Sequence, residues 1–172
     1  AISMKLRDPR HEIVVFERNA PGDTFGWGVV FSDQTMENLR ANDPVSADQI
    51  EAGFAHWDDI DVHIHGETIR SSGHGFVGIG RKRLLNILQE RALALGVELQ
   101  FNTEIEPTPD LFGGYDLVLA CDGANSKLRK AFEPDFGVDI DVRPNKYIWL
   151  GANKAFDRSE EHTSELQSLS SI

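Results

Sequence analysis

Apolar residues along this chain fall into short runs and helical stripes, and the two patterns alternate. Ile13, Val14, Val15 and Phe16 in succession predict a short buried strand. Leu117, Val118, Leu119, Ala120 and Cys121 have the length and apolar content of a strand covered on both faces. Residues 73–80 read as an apolar strand interrupted by glycines, and residues 97–101, VELQF, alternate with the period of a half-buried strand. Val62, Ile64 and, past Gly66-Glu67, Ile69 predict a β-hairpin with one buried face. The clearest helix is 81–95, where Leu84, Leu85, Leu88, Ala92 and Leu95 form one stripe and Gly96 stops it. Ile2 and Leu6, four apart, mark the last turns of a helix ended by Asp8-Pro9. Ser32 or Asp33 caps a helix running to about Arg40, with Met36 and Leu39 inward. Residues 42–59 read as acidic and irregular, with a helix within 47–55, and 147–151 as one more strand. Helix-friendly residues return at 126–129.

Composition narrows the class. Of 172 residues, 40% are hydrophobic and 26% charged, the balance of a globular chain, and no apolar run approaches the roughly 18 residues of a membrane span. A net charge of −11 argues against nucleic acid and against an anionic membrane surface as partners. Cys121 is the single cysteine, so no intramolecular disulfide forms, and the composition is of the cytoplasmic type. Since a domain seldom starts inside a helix, further sequence is expected upstream of Ala1. The segment RSEEHTSELQS at 158–168 resembles the in-frame translation of a sequencing adapter. Its polar, serine- and glutamate-rich make-up predicts no order, and 158–172 is set apart as a non-native tail. Arg158 against Glu160, Glu161 and Glu165 gives that tail −2, which leaves the rest of the chain at −9 of the −11. The acidity therefore does not come from the tail.

Candidate chemistry concentrates where strands end. The run at 117–121 stops at Asp122-Gly123 before a helix start, a corner that suits a nucleotide and equally an ordinary strand-to-helix turn. Glu17 stands at the carboxyl end of the 13–16 strand, where an open α/β sheet binds ligands and an acid can accept from both hydroxyls of a ribose. A surface acid is the plainer alternative, and Arg18 beside it is either solvated or in reach of a phosphate. Arg81 lies at a strand–helix junction, and Lys82 and Arg83 oppose the helix dipole there, which hints at an anionic neighbour or a solvated basic turn. Gly22, Gly26 and Gly28 around Trp27 form a loop able to lie close to a flat ligand, without phosphate-loop spacing. His63 and His65 share one strand face, but no third ligand accompanies them, and Asp58, Asp59 and Asp61 read as a solvated edge, so no metal site is assigned.

Three strings taken together, IVVFER, GIGRKRLLNILQERA and DLVLACDGANSKLR, resemble in order and spacing the single-component FAD-dependent aromatic hydroxylases. GWGVVFSD, FAHWDDIDVHIHG and GHGFVGIGRKRLLNILQ are similar, more narrowly, to the salicylyl-CoA 5-hydroxylase and 2-aminobenzoyl-CoA monooxygenase branch. The resemblance covers residues 1–157. It implies an α/β chain built as a truncated Rossmann-like FAD-binding fold, a parallel sheet with helices, plus hairpin elements. Residues 1–136 would be the FAD-binding domain without its first strand and glycine-rich turn, and 137–157 the start of a substrate domain. Glu17 would hold the adenosine ribose with Arg18 beside it, Arg81 would contact the flavin nucleotide, the backbone near Ile105 would meet the adenine, and Asp122 and Gly123 would serve FAD and the docking of NAD(P)H. The implied activity of the whole protein is hydroxylation of an aromatic acyl-CoA thioester with NAD(P)H and O2 through a flavin C4a-hydroperoxide. No side-chain acid or base is assigned. With half of the cradle absent, the 172-residue chain is expected to bind flavin weakly or not at all and to be inactive alone. The alternative reading is a non-catalytic nucleotide-binding module or a flavin-free NAD(P)-dependent dehydrogenase of Rossmann-like fold.

Overall fold

The computed structural model describes residues 1–73, 75–146 and 159–162. The chain is mixed α/β, with three small sheets, two of which pack against one 14-residue helix. Helix α1, Ile2–Arg7, ends at Asp8 in extended backbone, as the following proline requires. Strand β1, Val14–Phe16, runs parallel to β7, Glu98–Gln100. Between them in sequence stand β2, Gly28–Phe31, helix α2, Asp33–Asn42, helix α3, Pro44–Glu51, and β3, Ala55–Trp57. The hairpin β4, Ile60–Ile64, and β5, Glu67–Ser71, follows, then β6, Phe76–Gly80, and α4, Arg81–Ala94. Beyond β7 come a 3₁₀ helix, Pro109–Gly114, and two short helices, α5, Lys127–Ala131, and α6, Glu133–Phe136.

The core lies where α4, α3 and the antiparallel sheet β2-β6-β3 meet. Ile50 of α3 and Ile79 of the central strand β6 are fully buried, with Ile87 of α4 against them. Met36 and Leu39 pack on this cluster from α2, the inward positions that the sequence predicts. Ile87 falls outside the predicted stripe because α4 is covered on more than one side. Its Leu84 and Leu88 also reach this cluster, while Leu85 and Ala92 face a groove shared with Val15 and Leu99 of the β1–β7 pair. At the end of α3, Gly53 lets the chain approach α4 closely: a Cβ there would stand 2.8 Å from Arg83 Nε.

A buried ion pair ties the helices together. Asp43, between α2 and α3, takes two hydrogen bonds of 2.9 Å from the Arg91 guanidinium on α4 and one of 2.6 Å from Ser46 Oγ. The hairpin carries a second pair, Arg70 to Asp61 at 2.8 and 3.0 Å. Its turn places His65 and Gly66 at φ 48° and 82°, the left-handed pair that a tight two-residue hairpin needs.

Several expectations require correction. Residues 42–59 are not irregular: Pro44 opens α3, and 55–57 complete the sheet beside β6. The short β3 carried too few residues to register as a periodic pattern. Asp61 is not part of a solvated edge but 5% exposed, because Arg70 neutralises it and covers it. The largest departure is 117–121, which pairs with no strand among the described residues, leaving Leu117 and Leu119 60% and 63% exposed. A doubly apolar run is buried only when flanking strands and both covering layers are present. Here Leu128, Phe132 and Phe136 of α5 and α6 line a shallow groove with it on one side. From the tail, Ser159–His162 form β8, parallel to β4. An open strand edge pairs through backbone groups and so accepts a segment with no apolar pattern of its own. The predicted strand at 147–151, the remainder of the tail and His74 lie outside the described residues. No described helix is long and apolar enough to cross a membrane.

Candidate nucleotide site at the carboxyl end of the parallel strands

β1 and β7 run in the same direction, so their carboxyl ends open on one side. Glu17 follows β1 directly, as predicted. Its N–H donates to the Gln100 carbonyl at 2.9 Å, and its own carbonyl accepts from Thr103 N–H at 2.9 Å. The two chains thus stay zipped beyond the strands, which brings Glu17 beside the segment leading to Ile105. Glu17 Oε1 accepts from both nitrogens of Asn19, at 2.8 Å from the backbone and 2.7 Å from the side-chain amide.

Arg81 reaches the same side by topology. α4 ends at a tight turn where Val97 N–H bonds the Ala92 carbonyl, and β7 begins at once. A helix that leads back into a strand in this way runs against it, so the first turn of α4 stands at the carboxyl end of β7. Gly22, five residues past Glu17, supports this placement, since a Cβ there would lie 3.6 Å from Lys82 Cε. Arg81 N–H donates to the Trp27 carbonyl at 3.1 Å, which anchors the glycine-rich loop to the helix start. Arg83 serves another purpose than the anion site that its position suggested: it reaches the Ala52 carbonyl, at the negative end of α3, at 3.5 Å.

The Asp122-Gly123 corner joins the group through Lys127. The Lys127 ammonium stands 2.8 Å from Glu104 and 2.6 Å from Glu106, on either side of Ile105. It holds the Glu104 carboxyl below its ordinary range, with a smaller contribution from Arg18, and its own pKa is raised in return. All three side chains are substantially exposed, so solvent screens each pair and leaves it little weight in stability. Their effect is positional: they tie the Ile105 segment to the start of α5. Gly123 has φ 80°, and nothing stands within 4 Å of the place where a Cβ would be. The turn therefore leaves open space above its backbone, as a close-lying ligand would need.

Asp122 carries out local work. Its carboxyl is lowered first by a hydrogen bond from Ser126 and further by backbone N–H groups of α5, with Leu128 N–H at 3.4 Å from Oδ2. Ser126 Oγ in turn accepts from Arg129 N–H at 2.9 Å, a helix N-cap. Ser126→Ala is expected to cost about 1 kcal/mol, read as a lower urea midpoint of the chain with an unchanged slope. An unchanged midpoint would deny the cap.

The structure therefore gathers Glu17, Arg18, Ile105, Asp122 and Gly123 into one connected neighbourhood, with Arg81 at the same end of the parallel pair. Sequence reasoning missed Asn19, Lys127, Glu104 and Glu106. An amide two residues after the acid was a visible signal for Asn19, whereas the Lys127 links depend on loop geometry. Among the described residues no group of three or more His, Cys, Asp or Glu could hold a metal ion, and His63 Nδ1 is bonded to Thr68 Oγ1 at 2.9 Å.

By sequence, the chain is a homologue of aromatic-ring monooxygenases. In particular, it is 48% identical over 157 residues to salicyloyl-CoA 5-hydroxylase of a Streptomyces species, a match covering 91% of this chain and 30% of that protein. A 3-hydroxy-4-methyl-anthranilyl-(aryl-carrier protein) 5-monooxygenase of Streptosporangium sibiricum is 34% identical over 146 residues, 85% of this chain and 40% of its own length. The chain thus spans well under half the length of these relatives. No family model matches it. Its fold is shared with 2-methyl-3-hydroxypyridine-5-carboxylic acid oxygenase, at a TM-score of 0.63 and 22% identity over 76% of this chain and 38% of the other. CtdE, solved in complex with FAD and a substrate, aligns over 61% of this chain and 27% of its own with a TM-score of 0.52 and 17% identity.

Proposed function

We propose that this chain is the nucleotide-binding part of an FAD-dependent monooxygenase that hydroxylates an aromatic acyl-CoA thioester, with NAD(P)H and O2 as co-substrates. The observation that carries the reading is the convergence of Glu17, the Ile105 segment and the Asp122-Gly123 turn at the carboxyl end of β1 and β7. The 48% identity to a salicyloyl-CoA 5-hydroxylase supports the substrate class. In this reading residues 1–136 form a truncated Rossmann-like FAD-binding domain, 137–157 open the substrate domain, and 158–172 are the non-native tail.

The residues present fit an adenosine diphosphate half of FAD. Glu17 keeps Oε2 without a hydrogen-bond partner among the described residues, Gly123 leaves its upper face open, and Arg18 and Arg81 supply positive charge. Glu17 and Asn19 would hold the ribose, Arg18 and Arg81 would balance the phosphates, and the backbone at Ile105 would flank the adenine. Asp122 would act through the turn it shapes, keeping the backbone of Gly123 accessible to FAD and to the docking of NAD(P)H. FAD, when bound, supplies the activation of O2 for transfer to an electron-rich ring. The protein chain contributes binding and orientation.

A protein carrying this chain at the length of its relatives is expected to purify with flavin absorbance and to oxidise NAD(P)H when given an aromatic CoA thioester, with product gaining one oxygen by mass spectrometry. Glu17→Ala should weaken FAD binding by about tenfold or more, since it removes a charge-assisted hydrogen bond. A colourless protein, or one that takes up FAD equally well without Glu17, would count against the reading.

A further inference from the structure

The carboxylate of Glu17 is held in one orientation before any ligand arrives. A carboxylate oxygen offers two acceptor positions, and both positions of Oε1 are taken by Asn19, through its backbone N–H at 2.8 Å and its side-chain N–H at 2.7 Å. Asn19 is itself fixed, because its carbonyl accepts from Asn102 N–H at 3.1 Å. Asn102 sits at φ 53°, a left-handed conformation that asparagine tolerates better than most residues. Beside this bond lie the two backbone bonds of Glu17 to Gln100 and Thr103. One amide side chain thereby couples the rotamer of the acid to the segment that continues to Ile105.

We infer that Asn19 is a positioning residue for recognition of a ribose diol, and that Glu17 accepts the diol through Oε2 alone. The expectation from sequence is that the carboxylate accepts from both hydroxyls, without saying through which oxygen. Oε2 has two acceptor positions of its own, enough for both hydroxyls on one atom. Fixing the rotamer beforehand removes the entropy that a free glutamate side chain would lose on binding. The inference rests on the proposed flavin reading and adds to it a residue and a mode of recognition.

The test uses apo-protein at the length of the relatives, titrated with FAD by flavin fluorescence, as wild type, Asn19→Ala, Glu17→Ala and the double variant. Asn19→Ala is expected to weaken FAD by about tenfold. In the Glu17→Ala background the same substitution should change nothing further, because its effect acts through the carboxylate. A second readout needs no flavin: in NMR spectra of the 172-residue chain, the Asn19 side-chain amide protons should move upfield on Glu17→Ala. Undiminished FAD affinity in Asn19→Ala would overturn the inference. So would a loss that persists in full without Glu17, which would mean that Asn19 only shapes the loop. Wild-type protein that takes up no FAD, with amide signals still responding to Glu17→Ala, would bring down the flavin reading and the ribose role with it. That pattern is distinct from failure of the positioning role alone.

Discussion

Replacing Arg91 by methionine should destabilise the chain by about 3 kcal/mol, measured by urea unfolding. The Asp43 carboxylate is 4% exposed, so losing the guanidinium strands a charge that water cannot reach, with only Ser46 left to bond it. Asp43→Asn should cost less. Arg91 is 18% exposed and can recover some hydration, while the new amide keeps an acceptor for Ser46. An equal cost for the two variants would show that the pair is more solvated than its geometry implies. The pair also fixes a pH dependence. Hydrogen bonds from Arg91, more than those from Ser46, hold Asp43 below the ordinary carboxylate value of 3.8, against the opposing effect of burial. A carboxyl whose folded pKa is depressed adds stability that is complete above its unfolded pKa and is lost as pH falls through the folded one. The wild type should therefore lose its advantage over Asp43→Asn in acid below the unfolded value, and keep it unchanged at neutral pH.

Ile79→Ala should cost a further independent amount, about 3 kcal/mol. Ile79 is fully buried on the central strand of β2-β6-β3, between Ile50 and Ile87. The site cannot readily collapse, because its surroundings are already close: even a Cβ added at Gly53 would stand 3.1 Å from Ile79 Cδ1 and 2.8 Å from Arg83 Nε. Ile79→Leu, which conserves volume, should cost under about 1.5 kcal/mol. The urea midpoints of the two variants give the comparison, and a cost for alanine no larger than for leucine would show that the core repacks freely. Two residues beyond Ile79 stands Arg81, so on the proposed flavin reading a loosened β6 should also lower FAD affinity in a protein of the relatives' length. Ile50→Ala, on α3 and away from that junction, should cost similar stability with less effect on the site.

The placement of Glu17 and Arg81 at strand ends was readable from chain order alone, because an apolar run that stops at a charged residue marks a strand end whatever the surroundings are. The Asp122-Gly123 turn was readable for another reason, since 117–121 forms no strand among the described residues: glycine there takes φ 80°, which few other residues tolerate. What these residues bond to was not readable. Asp122 turned out to accept from Leu128 N–H in the first turn of α5, Arg83 to reach a helix carboxyl end, and Asn19 to hold Glu17, because side chains choose partners at distances of a few ångströms.

The sequence by itself determined the local elements with strong periodicity, α4 above all, the αβ class, and the existence of the hairpin, whose turn falls at His65-Gly66, one residue before the expected Gly66-Glu67. These follow from backbone preference and from the spacing of apolar residues, both carried by neighbours in the chain. Only the tertiary structure decided which apolar runs are buried. Residues 117–121 have the composition of a central strand, yet Leu117 and Leu119 stay exposed, while Asp61, read from sequence as part of a solvated edge, is buried, and so is Asp43. Burial of an apolar run requires partners on its edges and faces, and burial of an acid requires a cation at the right distance. Arg91 reaches Asp43 from 48 residues further along the chain, and Arg70 meets Asp61 only once the hairpin register sets the two opposite each other, so no pattern of adjacent residues announces either pair.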